Sequence, residues 1–311
     1  MIDSVLSDAI NTFFSSKDLA TRRVFHGRGQ LYPGLEHICI DWFEPVVLVT
    51  AYSEIADPAG LLEAILAADH TKKVESVVLQ KRYEKGAPAE LLRGEKLRET
   101  VVNEEGLLFE VHPGAQQNAG LFLDMYPLRQ WLRVHSEGKN VLNLFAYTCS
   151  LSVAAMAGGA SGVTNVDMSK TSIKWGEKNH QLNAQDLRKV KSIPHNLFKS
   201  WGRIKQFGRY DLLIIDPPTR QRGSFDVAVN YPAVLKKLSG LCAPGADVIA
   251  TINSPFLDVD FLLEKFERHV PGGSYIGTIE AAAEFADKFP ERGLKIYHFK
   301  MPPAPREILQ G

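Results

Sequence analysis

Three absences narrow the class of protein before any motif is considered. The sequence has no apolar run of about 18 residues, so no transmembrane helix is expected. Its three cysteines, Cys39, Cys149 and Cys242, form no C-x-x-C pair, which argues against a zinc site and against a disulfide framework. The first residues carry acids and no basic segment, unlike a secretory signal. These absences predict a cytoplasmic protein without a bound metal and without membrane contact.

An excess of positive charge is also missing. Lys plus Arg and Asp plus Glu both number 36, so the formal net charge is zero. Nucleic-acid-binding domains usually carry a basic excess, so a role of that kind must depend on local patches. Two basic stretches qualify, residues 199–209 and the pair Arg220 and Arg222. Taken alone, solvated surface charge is the simpler explanation of both.

The length of 311 residues favours two domains, and the residue pattern changes near residue 113. Residues 1–112 mix a helical pattern over 1–20 with strand-like runs over 38–42, 46–52 and 74–79. A helical pattern runs from Pro58 to Ala68. Pro58 stands at the first helical position, where the fixed φ of proline is tolerated. Residues 100–111 read as two strands around a turn at Gly106. A small α+β domain is predicted over residues 1–112, as a candidate for binding RNA or another substrate.

From residue 113 to residue 311, apolar strand runs alternate with helical segments. Strands are predicted over 141–145, 163–167, 190–193, 212–216 and 248–252, with edge strands over 275–279 and 294–299. This alternation predicts βαβ units and a parallel sheet covered on both faces. Ligands bind at the carboxyl ends of parallel strands, so the residues that follow each strand are the candidate site residues.

The first two strand ends carry polar residues. The segment NLFAYTCS, from Asn143 to Ser150, lacks the glycines of a G-x-G-x-x-G motif but has small and hydroxyl residues before a helix. Such a loop suits the polar end of an adenosine-containing ligand. Asp167 comes 24 residues after Asn143, where dinucleotide folds place an acid that binds ribose hydroxyls. Ordinary turns, with Thr148 or Ser150 and then Asp167 as helix caps, are the alternative.

The fourth strand ends in Asp216-Pro217-Pro218. Proline fixes φ and has no N–H group, and the residue before it is held extended. The two rings therefore form a stiff wall that can lie flat against a planar group such as a base. A rigid turn without a ligand explains the same residues.

Five motifs follow one another along the chain: GLFLD at 120–124, LNLFAYT at 142–148, VDMSKT at 166–171, DPPT at 216–219 and FDV at 225–227. As a set they resemble the class I S-adenosylmethionine-dependent methyltransferases, over about residues 113–300. The large-subunit ribosomal RNA methyltransferases are the most similar group, with the guanine-N7 branch first and the cytosine-C5 branch next. The resemblance implies a Rossmann-like domain with a mostly parallel seven-stranded sheet, S-adenosyl-L-methionine as cofactor and ribosomal RNA as partner.

The resemblance also implies roles for single residues. The cofactor would be bound by Phe122, Asp124, Asn143, Phe145, Ala146, Tyr147, Thr148, Asp167, Met168, Asn196 and Asp216. Among these, Asp167 would bind the ribose, Met168 would pack on the adenine, and Phe122 with Asp124 would close over the cofactor. Asn196 stands where the family usually has Asp, and it still offers an acceptor oxygen. Catalysis would involve Asp216, Pro217 and Asn253, and the substrate would contact Pro218, Thr219, Arg220 and Arg222.

The type of methyl transfer depends on a cysteine. Methylation of pyrimidine C5 needs a covalent nucleophile, usually a thiolate. In the cytosine-C5 branch that cysteine follows the fifth strand, where this chain has Asn253, in ATINSP. Cys242 lies near a predicted helix end and is expected to be buried, whereas Cys149 lies in the loop after the first strand and is expected to serve there as a small residue. We therefore predict direct transfer to a base nitrogen, either guanine N7, which already has a lone pair, or an exocyclic amine.

Arg220 departs from the family pattern, which has an aromatic residue after DPPT. An aromatic ring there would stack on a flipped-out base, whereas Arg220 can stack through its guanidinium or bind a phosphate. Two alternatives follow. One is a non-catalytic RNA- or ribosome-binding protein on a methyltransferase scaffold. The other, in keeping with zero net charge, is a methyltransferase for a small molecule or a protein. A dinucleotide-dependent oxidoreductase fits Asp167 but not DPP.

Overall fold

The computed structural model describes residues 2–95, 98–221, 225–254 and 256–304. The chain forms two compact units, the first from Met1–Tyr126 and Ala282–Pro290 and the second from Pro127–Ala281 and Glu291–Gly311. In the described part of the chain, no helix combines the length and the apolar character that a membrane span requires. The boundary between two domains that the sequence predicts after residue 112 stays a prediction.

The described part of the first unit contains a five-stranded sheet, two α-helices and a separate two-stranded hairpin. Its sheet strands are β1 (Arg22–His26), β2 (Ile38–Phe43), β3 (Val46–Ala51), β4 (Ser76–Lys81) and β5 (Ala89–Arg93), in that spatial order. The helices are α1 (Ser4–Phe14) and α2 (Pro58–Ala68), and a separate hairpin consists of β6 (Thr100–Glu104) and β7 (Leu107–Val111). Strands β3 and β4 are parallel, because helix α2 carries the chain back across the sheet.

The sequence accounts for the core of this unit. All six residues of β2 and all six of β3 are buried, as expected for near-continuous apolar runs covered on both faces. Helix α2 begins at Pro58 as predicted, and the Asp57 side chain caps it by accepting from the Gly60 N–H. Trp42 is buried completely, and its indole N–H donates to the Leu19 carbonyl at 2.9 Å. Its polar atom is thereby satisfied inside the core.

The second unit contains the larger sheet. Its strands are β8 (Asn140–Leu144), β9 (Gly162–Asp167), β10 (Val190–Pro194), β11 (Tyr210–Ile215), β14 (Cys242–Asn253), β15 (Ser274–Ile279) and β16 (Leu294–Lys300). The accompanying helices are α3 (Tyr126–His135), α4 (Ser150–Ala157), α5 (Lys170–Leu182), α6 (Trp201–Lys205), α7 (Val227–Leu235) and α8 (Phe261–His269). After β11, two short strands pair antiparallel, β12 (Arg220–Gln221) and β13 (Phe225–Asp226).

The strand order is β10-β9-β8-β11-β14-β16-β15. Strands β10, β9, β8, β11 and β14 pair in parallel, whereas β16 runs antiparallel to both of its neighbours. The chain order reverses between β8 and β11, which are hydrogen-bonded neighbours. At such a switch point a crevice opens beyond the carboxyl ends of the strands, and ligands bind there. The segments after β8 and β11 border this position.

The structure confirms the mostly parallel seven-stranded sheet and corrects some details. Strand β16 lies between β14 and β15, and not at the edge as predicted. Strand β14 is also longer than predicted, because the residues Cys242–Gly245 already belong to it. The sequence analysis missed β1, β5 and α3. Strand β5 is largely exposed, so it has no buried apolar pattern that could have indicated it.

Candidate functional site

The loop between β8 and α4 has an unusual backbone. Phe145, Tyr147 and Cys149 have positive φ values of 60°, 46° and 62°, which non-glycine residues seldom adopt. Within this turn the Ala146 N–H donates to the Val166 carbonyl at 3.0 Å. Backbone strain of this kind persists only where the surrounding structure holds it in place, and it occurs mainly at active sites and ligand-binding sites. The loop that the sequence analysis identified as a candidate site therefore has a strained backbone.

Helix α5 holds this loop in place. The Asn179 side-chain amide donates to the Thr148 carbonyl at 2.9 Å, and both residues are buried. A Cβ added at Gly176 would lie 2.3 Å from Cys149 Sγ, so a glycine is needed for the helix to pack this closely. Packing against a neighbouring helix thus stabilises a backbone that the loop residues alone would not favour.

Asp167 lies at the end of β9 and is hydrogen-bonded to the same loop. Its Oδ2 accepts from the Tyr147 N–H at 2.9 Å, and its Oδ1 accepts from the Ser169 N–H at 2.8 Å. Burial raises the pKa of this carboxyl, against the opposite effect of the two hydrogen bonds. Each oxygen has a further lone pair, so the carboxylate can also accept from two ribose hydroxyls. The adjacent Met168 side chain is 45% exposed and offers apolar surface.

Asn143 lies one residue before the end of β8, and its side chain is buried within the sheet layer. Its Nδ2 donates to Asn165 Oδ1 on β9 at 3.1 Å. The Asn143 Oδ1 has no hydrogen-bond partner among the described residues. A buried acceptor without a partner costs roughly 1–3 kcal/mol, so a donor from a ligand or a water is expected there. Its predicted contact with the cofactor stays a prediction.

Asn196 follows β10 and caps a short turn, where its Oδ1 accepts from the Phe198 N–H at 2.9 Å. Beside it lies an aromatic cluster that the sequence analysis did not recognise. The Phe145 and Phe225 ring centroids are 4.8 Å apart, and those of Phe198 and Phe225 are 6.3 Å apart. The three rings come from segments after β8, β10 and β11, so spacing along the chain gives no signal that they meet.

Asp216 follows β11 at the switch point. Thr251 Oγ1 on β14 donates to Asp216 Oδ1 at 2.5 Å. The Tyr231 hydroxyl on α7 lies 3.3 Å from the Ile215 carbonyl and 3.1 Å from the Thr251 carbonyl. Burial first, and then the charge of Asp216, raise the pKa of Tyr231 well above its usual value. Thr251 and Tyr231, which no motif contains, therefore fix the strand ends and the direction of the carboxylate.

The rest of DPPT lies against the end of β14. Pro217 is buried, whereas Pro218 and Thr219 are exposed. The Thr219 hydroxyl donates to the backbone carbonyl of Asn253, the last residue of β14, whose side chain is exposed. Asp216, Thr219 and Asn253 thus lie at the ends of the neighbouring strands β11 and β14, and their predicted roles stay predictions.

Arg220 lies on β12, opposite Asp226 on β13. Its Nε is 3.9 Å from Asp226 Oδ2, and its side chain is 82% exposed. An exposed ion pair of this length contributes little free energy, so the guanidinium can turn to another anion at small cost. Arg222, the second arginine predicted to contact the substrate, lies outside the described residues.

Phe122 and Asp124 belong to the first unit. Phe122 is 43% exposed. Asp124 lies in the short 3-10 turn Leu123–Met125, and its charge raises the pKa of the partly buried Arg23. Their predicted closure over the cofactor stays a prediction.

Residues 22–300 match the model of a protein family described as S-adenosylmethionine-dependent methyltransferase. That span contains every strand end described above. The chain belongs to this methyltransferase family. The cofactor predicted from the sequence, S-adenosyl-L-methionine, is confirmed with the family.

Curated relatives of this methyltransferase carry the name ribosomal RNA large subunit methyltransferase K/L. The relative from Hahella chejuensis is 30% identical over 253 residues, and that from Colwellia psychrerythraea is 34% identical over 193 residues. The alignments cover 73% and 60% of this chain, but 33% and 27% of the relatives. The chain therefore spans about a third of the length of the curated relatives it matches.

Solved structures of methyltransferases have the same fold. A candidate methyltransferase in complex with SAH matches with a TM-score of 0.81 and 24% identity, over 96% of this chain and 79% of that chain. The SAM-dependent methyltransferase from Agrobacterium tumefaciens matches with a TM-score of 0.65 and 18% identity, over 86% of this chain and 88% of that chain. At these identities the likeness concerns the fold, and it confirms the predicted class I methyltransferase fold.

The cysteines of this methyltransferase are unsuited to covalent catalysis. Cys149 and Cys242 are buried. Burial, and then the charge of Asp167, raise the pKa of Cys149, and burial raises the pKa of Cys242 to about 12. The thiolate is the reactive form, so neither thiol is activated at neutral pH. The predicted mechanism without a covalent intermediate stays a prediction.

One group of metal-ligating side chains occurs in the part of the chain that the structure describes. The ligand atoms of Glu99, Glu110 and His112 lie within 4.8 Å of one another, in the first unit. His112 Nε2 is 3.0 Å from Glu110 Oε1 and 3.8 Å from Glu99 Oε2, and a hydrogen bond accounts for the shorter distance. The predicted absence of a metal stays a prediction.

Proposed function

We propose that this methyltransferase modifies a base nitrogen, guanine N7 or an exocyclic amine, in large-subunit ribosomal RNA. The observation that carries the proposal is the Asp216 carboxylate, which Thr251 holds at the switch point of the sheet, together with the absence of an activated thiol there. Relatives named as ribosomal RNA large subunit methyltransferases support the substrate class. A cytoplasmic location, where ribosomes are methylated, is part of the proposal.

The proposed cofactor contacts follow from donor and acceptor chemistry. Asp167 would accept hydrogen bonds from the ribose hydroxyls, and the exposed thioether of Met168 would pack on the adenine. The Asn196 Oδ1 would accept from the adenine amino group through its second lone pair. The strained loop from Phe145 to Thr148 would surround the methionine part, with Asn143 Oδ1 as a further acceptor.

The bound cofactor supplies a methyl group on a positively charged sulfur. The attacking base nitrogen forms the new N–C bond while the S–C bond breaks, and the bonding electrons leave with the sulfur. Residues of the chain need only place that nitrogen in line, and such positioning can lower a barrier by about 7–11 kcal/mol at best.

Asp216 has a different role for each target atom. Methylation of guanine N7 leaves a cationic base and releases no proton, so the carboxylate would stabilise the developing positive charge. An exocyclic amine must lose a proton when it is methylated, and the Asp216 carboxylate would orient its N–H and accept that proton. In both cases Pro217 and Pro218 would lie against the base, and the exposed Asn253 side chain would hold its edge.

Transfer assays with labelled cofactor and unmodified large-subunit ribosomal RNA test the proposal. Incorporation of label into the RNA is expected, and mass-spectrometric mapping of ribosomal RNA from cells with and without the gene then identifies the atom. Cofactor binding without transfer to RNA would favour a protein or small-molecule substrate instead. Absence of cofactor binding would favour the non-catalytic scaffold.

A further inference from the structure

Two arginines stack on one tyrosine at one end of the first unit's sheet. Tyr52 directly follows β3 and Arg82 directly follows β4, and these strands are parallel neighbours. The Arg82 N–H donates to the Ala51 carbonyl at 2.7 Å, which fixes the two strand ends side by side. The guanidinium carbons of Arg28 and Arg82 lie 4.3 Å and 5.8 Å from the Tyr52 ring centroid. We call Arg28, Tyr52 and Arg82 the arginine–tyrosine cluster.

The turn that carries Arg28 is packed too tightly to move freely. Arg28 lies between Gly27 and Gly29, in the short turn after β1. An added Cβ would lie 1.8 Å from the Leu35 carbonyl oxygen at Gly27, and 2.0 Å from the Ala286 carbonyl oxygen at Gly29. Both glycines therefore bring the turn into direct contact with neighbouring backbone. Arg28 is exposed but held on a fixed base, which lowers the entropy cost of binding through it.

The charges of the cluster are not neutralised by acids. Within the described residues, neither Arg28 nor Arg82 has a carboxylate at ion-pair distance, whereas the adjacent Lys81 Nζ lies 2.8 Å from Glu90 Oε2. Arg82 Nη1 donates to the Gln117 backbone carbonyl at 2.5 Å, and this neutral partner leaves the charge of Arg82 in place. The distances to the shared ring place the two guanidinium carbons at most about 10 Å apart. Charges at that separation still repel at physiological salt, where the screening length is about 8 Å. The arrangement is more stable when an anion binds to it.

The positive charges of nearby arginines also affect the pKa of His26. His26 directly precedes the turn, and burial first, followed by the charges of Arg23 and Arg28, lowers its pKa to about 4. Arg23 is paired with Asp41, at 2.5 Å between Nε and Oδ1. Arg28, the cation of the turn itself, has no carboxylate partner among the described residues, and His26 adds no charge at neutral pH.

We infer that the arginine–tyrosine cluster is an RNA-binding surface of the first unit, where a backbone phosphate binds the two guanidiniums and an unpaired base stacks on Arg28. Guanidinium groups bind phosphate through paired N–H donors, and unpaired bases stack on guanidinium planes and on aromatic rings. The Tyr52 ring supports the Arg28 guanidinium, and Arg28 is exposed and therefore accessible to a base. The inference rests on the proposed function, because it assumes an RNA substrate.

Binding of a single-stranded fragment of unmodified large-subunit ribosomal RNA, followed by fluorescence anisotropy over a salt series, tests the inference. The double variant Arg28→Gln/Arg82→Gln should bind about tenfold more weakly, and its slope of log affinity against log salt should be smaller by about 1 to 2. Tyr52→Phe should bind like the wild type, whereas Tyr52→Ala should bind more weakly. Calorimetric affinity for S-adenosylmethionine should stay unchanged in all variants.

Arg93→Gln is the matched control. Arg93 is exposed on β5 of the same sheet, and it pairs with Val77 near the start of β4, away from the end that carries Arg82. The control removes the same charge and should leave both affinity and salt slope unchanged. An equal loss in Arg93→Gln and in the double variant would mean that only total charge matters, and the inference would be wrong.

The outcomes separate the inference from the proposed function. If the wild type methylates RNA and the double variant keeps its affinity and slope, the cluster is not the RNA surface, while the proposed function stands. If the wild type neither binds nor methylates RNA, both are overturned. Polyglutamate and inorganic phosphate serve as competitors. Binding to polyglutamate that requires both arginines, without binding to RNA, would assign the cluster to an acidic protein partner and overturn the inference.

Discussion

The Thr251 hydroxyl donates a hydrogen bond of 2.5 Å to Asp216 Oδ1, across the neighbouring parallel strands β14 and β11. Asp216 belongs to a motif that the sequence makes conspicuous, whereas Thr251 lies in an ordinary apolar strand run. The contact directs the carboxylate at the switch point. It makes Thr251 a positioning residue for the proposed methyl transfer.

Removal of the Thr251 hydroxyl should slow methyl transfer without weakening cofactor binding. Thr251→Val keeps the branched shape and removes the donor, and hydrogen bonds to charged groups contribute about 1.5–3 kcal/mol. We expect a roughly tenfold lower single-turnover rate and an unchanged calorimetric affinity for S-adenosylmethionine. Thr251→Ser should restore most of the rate. Equal rates for the valine and serine variants would contradict the positioning role.

Replacement of the Asp216 carboxylate should distinguish the two target atoms. Asp216→Asn keeps the size of the side chain and removes its charge, so the transfer rate should fall by at least about tenfold. A fall of about a hundredfold or more would favour an exocyclic amine, which needs a proton acceptor. Asp186→Asn, which alters an acid paired with Arg188 on the surface, is the control. A rate equal to that of the wild type would remove Asp216 from the mechanism.

Loss of the Asp167 carboxylate should abolish tight cofactor binding. Two charge-assisted hydrogen bonds to a ribose are worth about 1.5–3 kcal/mol each, so Asp167→Ala should weaken calorimetric affinity by roughly a hundredfold or more. Asp186→Ala should bind like the wild type. Because Asp167 also accepts from the Tyr147 N–H, a thermal melt of each variant checks that the fold is retained. Undiminished affinity in a folded Asp167→Ala protein would rule out the ribose contact.

The cysteines should be dispensable for chemistry. Cys39→Ala, Cys149→Ala and Cys242→Ala each remove a buried thiol and should cost about 0.5–3 kcal/mol of stability. The transfer rate of each folded variant should stay within about threefold of the wild type, because no thiolate takes part. Denaturing gels of stalled reactions should show no covalent protein–RNA adduct. A trapped adduct that one cysteine substitution eliminates would restore the covalent mechanism.

A buried histidine should make the stability of the second unit depend on pH. His180 is fully buried, with Nδ1 2.6 Å from Gln185 Oε1 and Nε2 3.0 Å from Ser152 Oγ. Burial lowers its pKa from 6.5 to about 4, against a smaller opposite effect of Gln185. Between these values the unfolded chain binds a proton that the folded chain does not. The free energy of unfolding should therefore fall as pH decreases through this window, by roughly 3 kcal/mol.

Urea unfolding of the wild type and of His180→Gln over the same pH range isolates this contribution. The difference between the two proteins should change with pH between about 6.5 and about 4 and stay constant outside that window. Other histidines contribute equally to both proteins and cancel. Parallel pH dependences across the window would show that His180 does not titrate as expected.

Local patterns in the sequence were enough to predict much of the fold. The run Leu212–Ile215 is completely buried, as its four apolar residues before Asp216 indicated. Helix α2 begins and ends at the predicted residues, Pro58 and Ala68, because proline at the first position is a local signal. The alternation of strands and helices likewise predicted the parallel sheet, and with it the strand ends where Asp167 and Asp216 lie.

Contacts between distant segments were decided by the tertiary structure alone. The chain order does not reveal that β8 and β11 are neighbours, that β16 lies inside the sheet, or that Thr251 meets Asp216. The clustered rings of Phe145, Phe198 and Phe225 and the two arginines over Tyr52 come from segments with no common motif. The sequence therefore determined which residues are polar, rigid or apolar at each strand end, because these properties are local. Only the pairing of strands determined which of them act together, because that pairing depends on packing over the whole sheet.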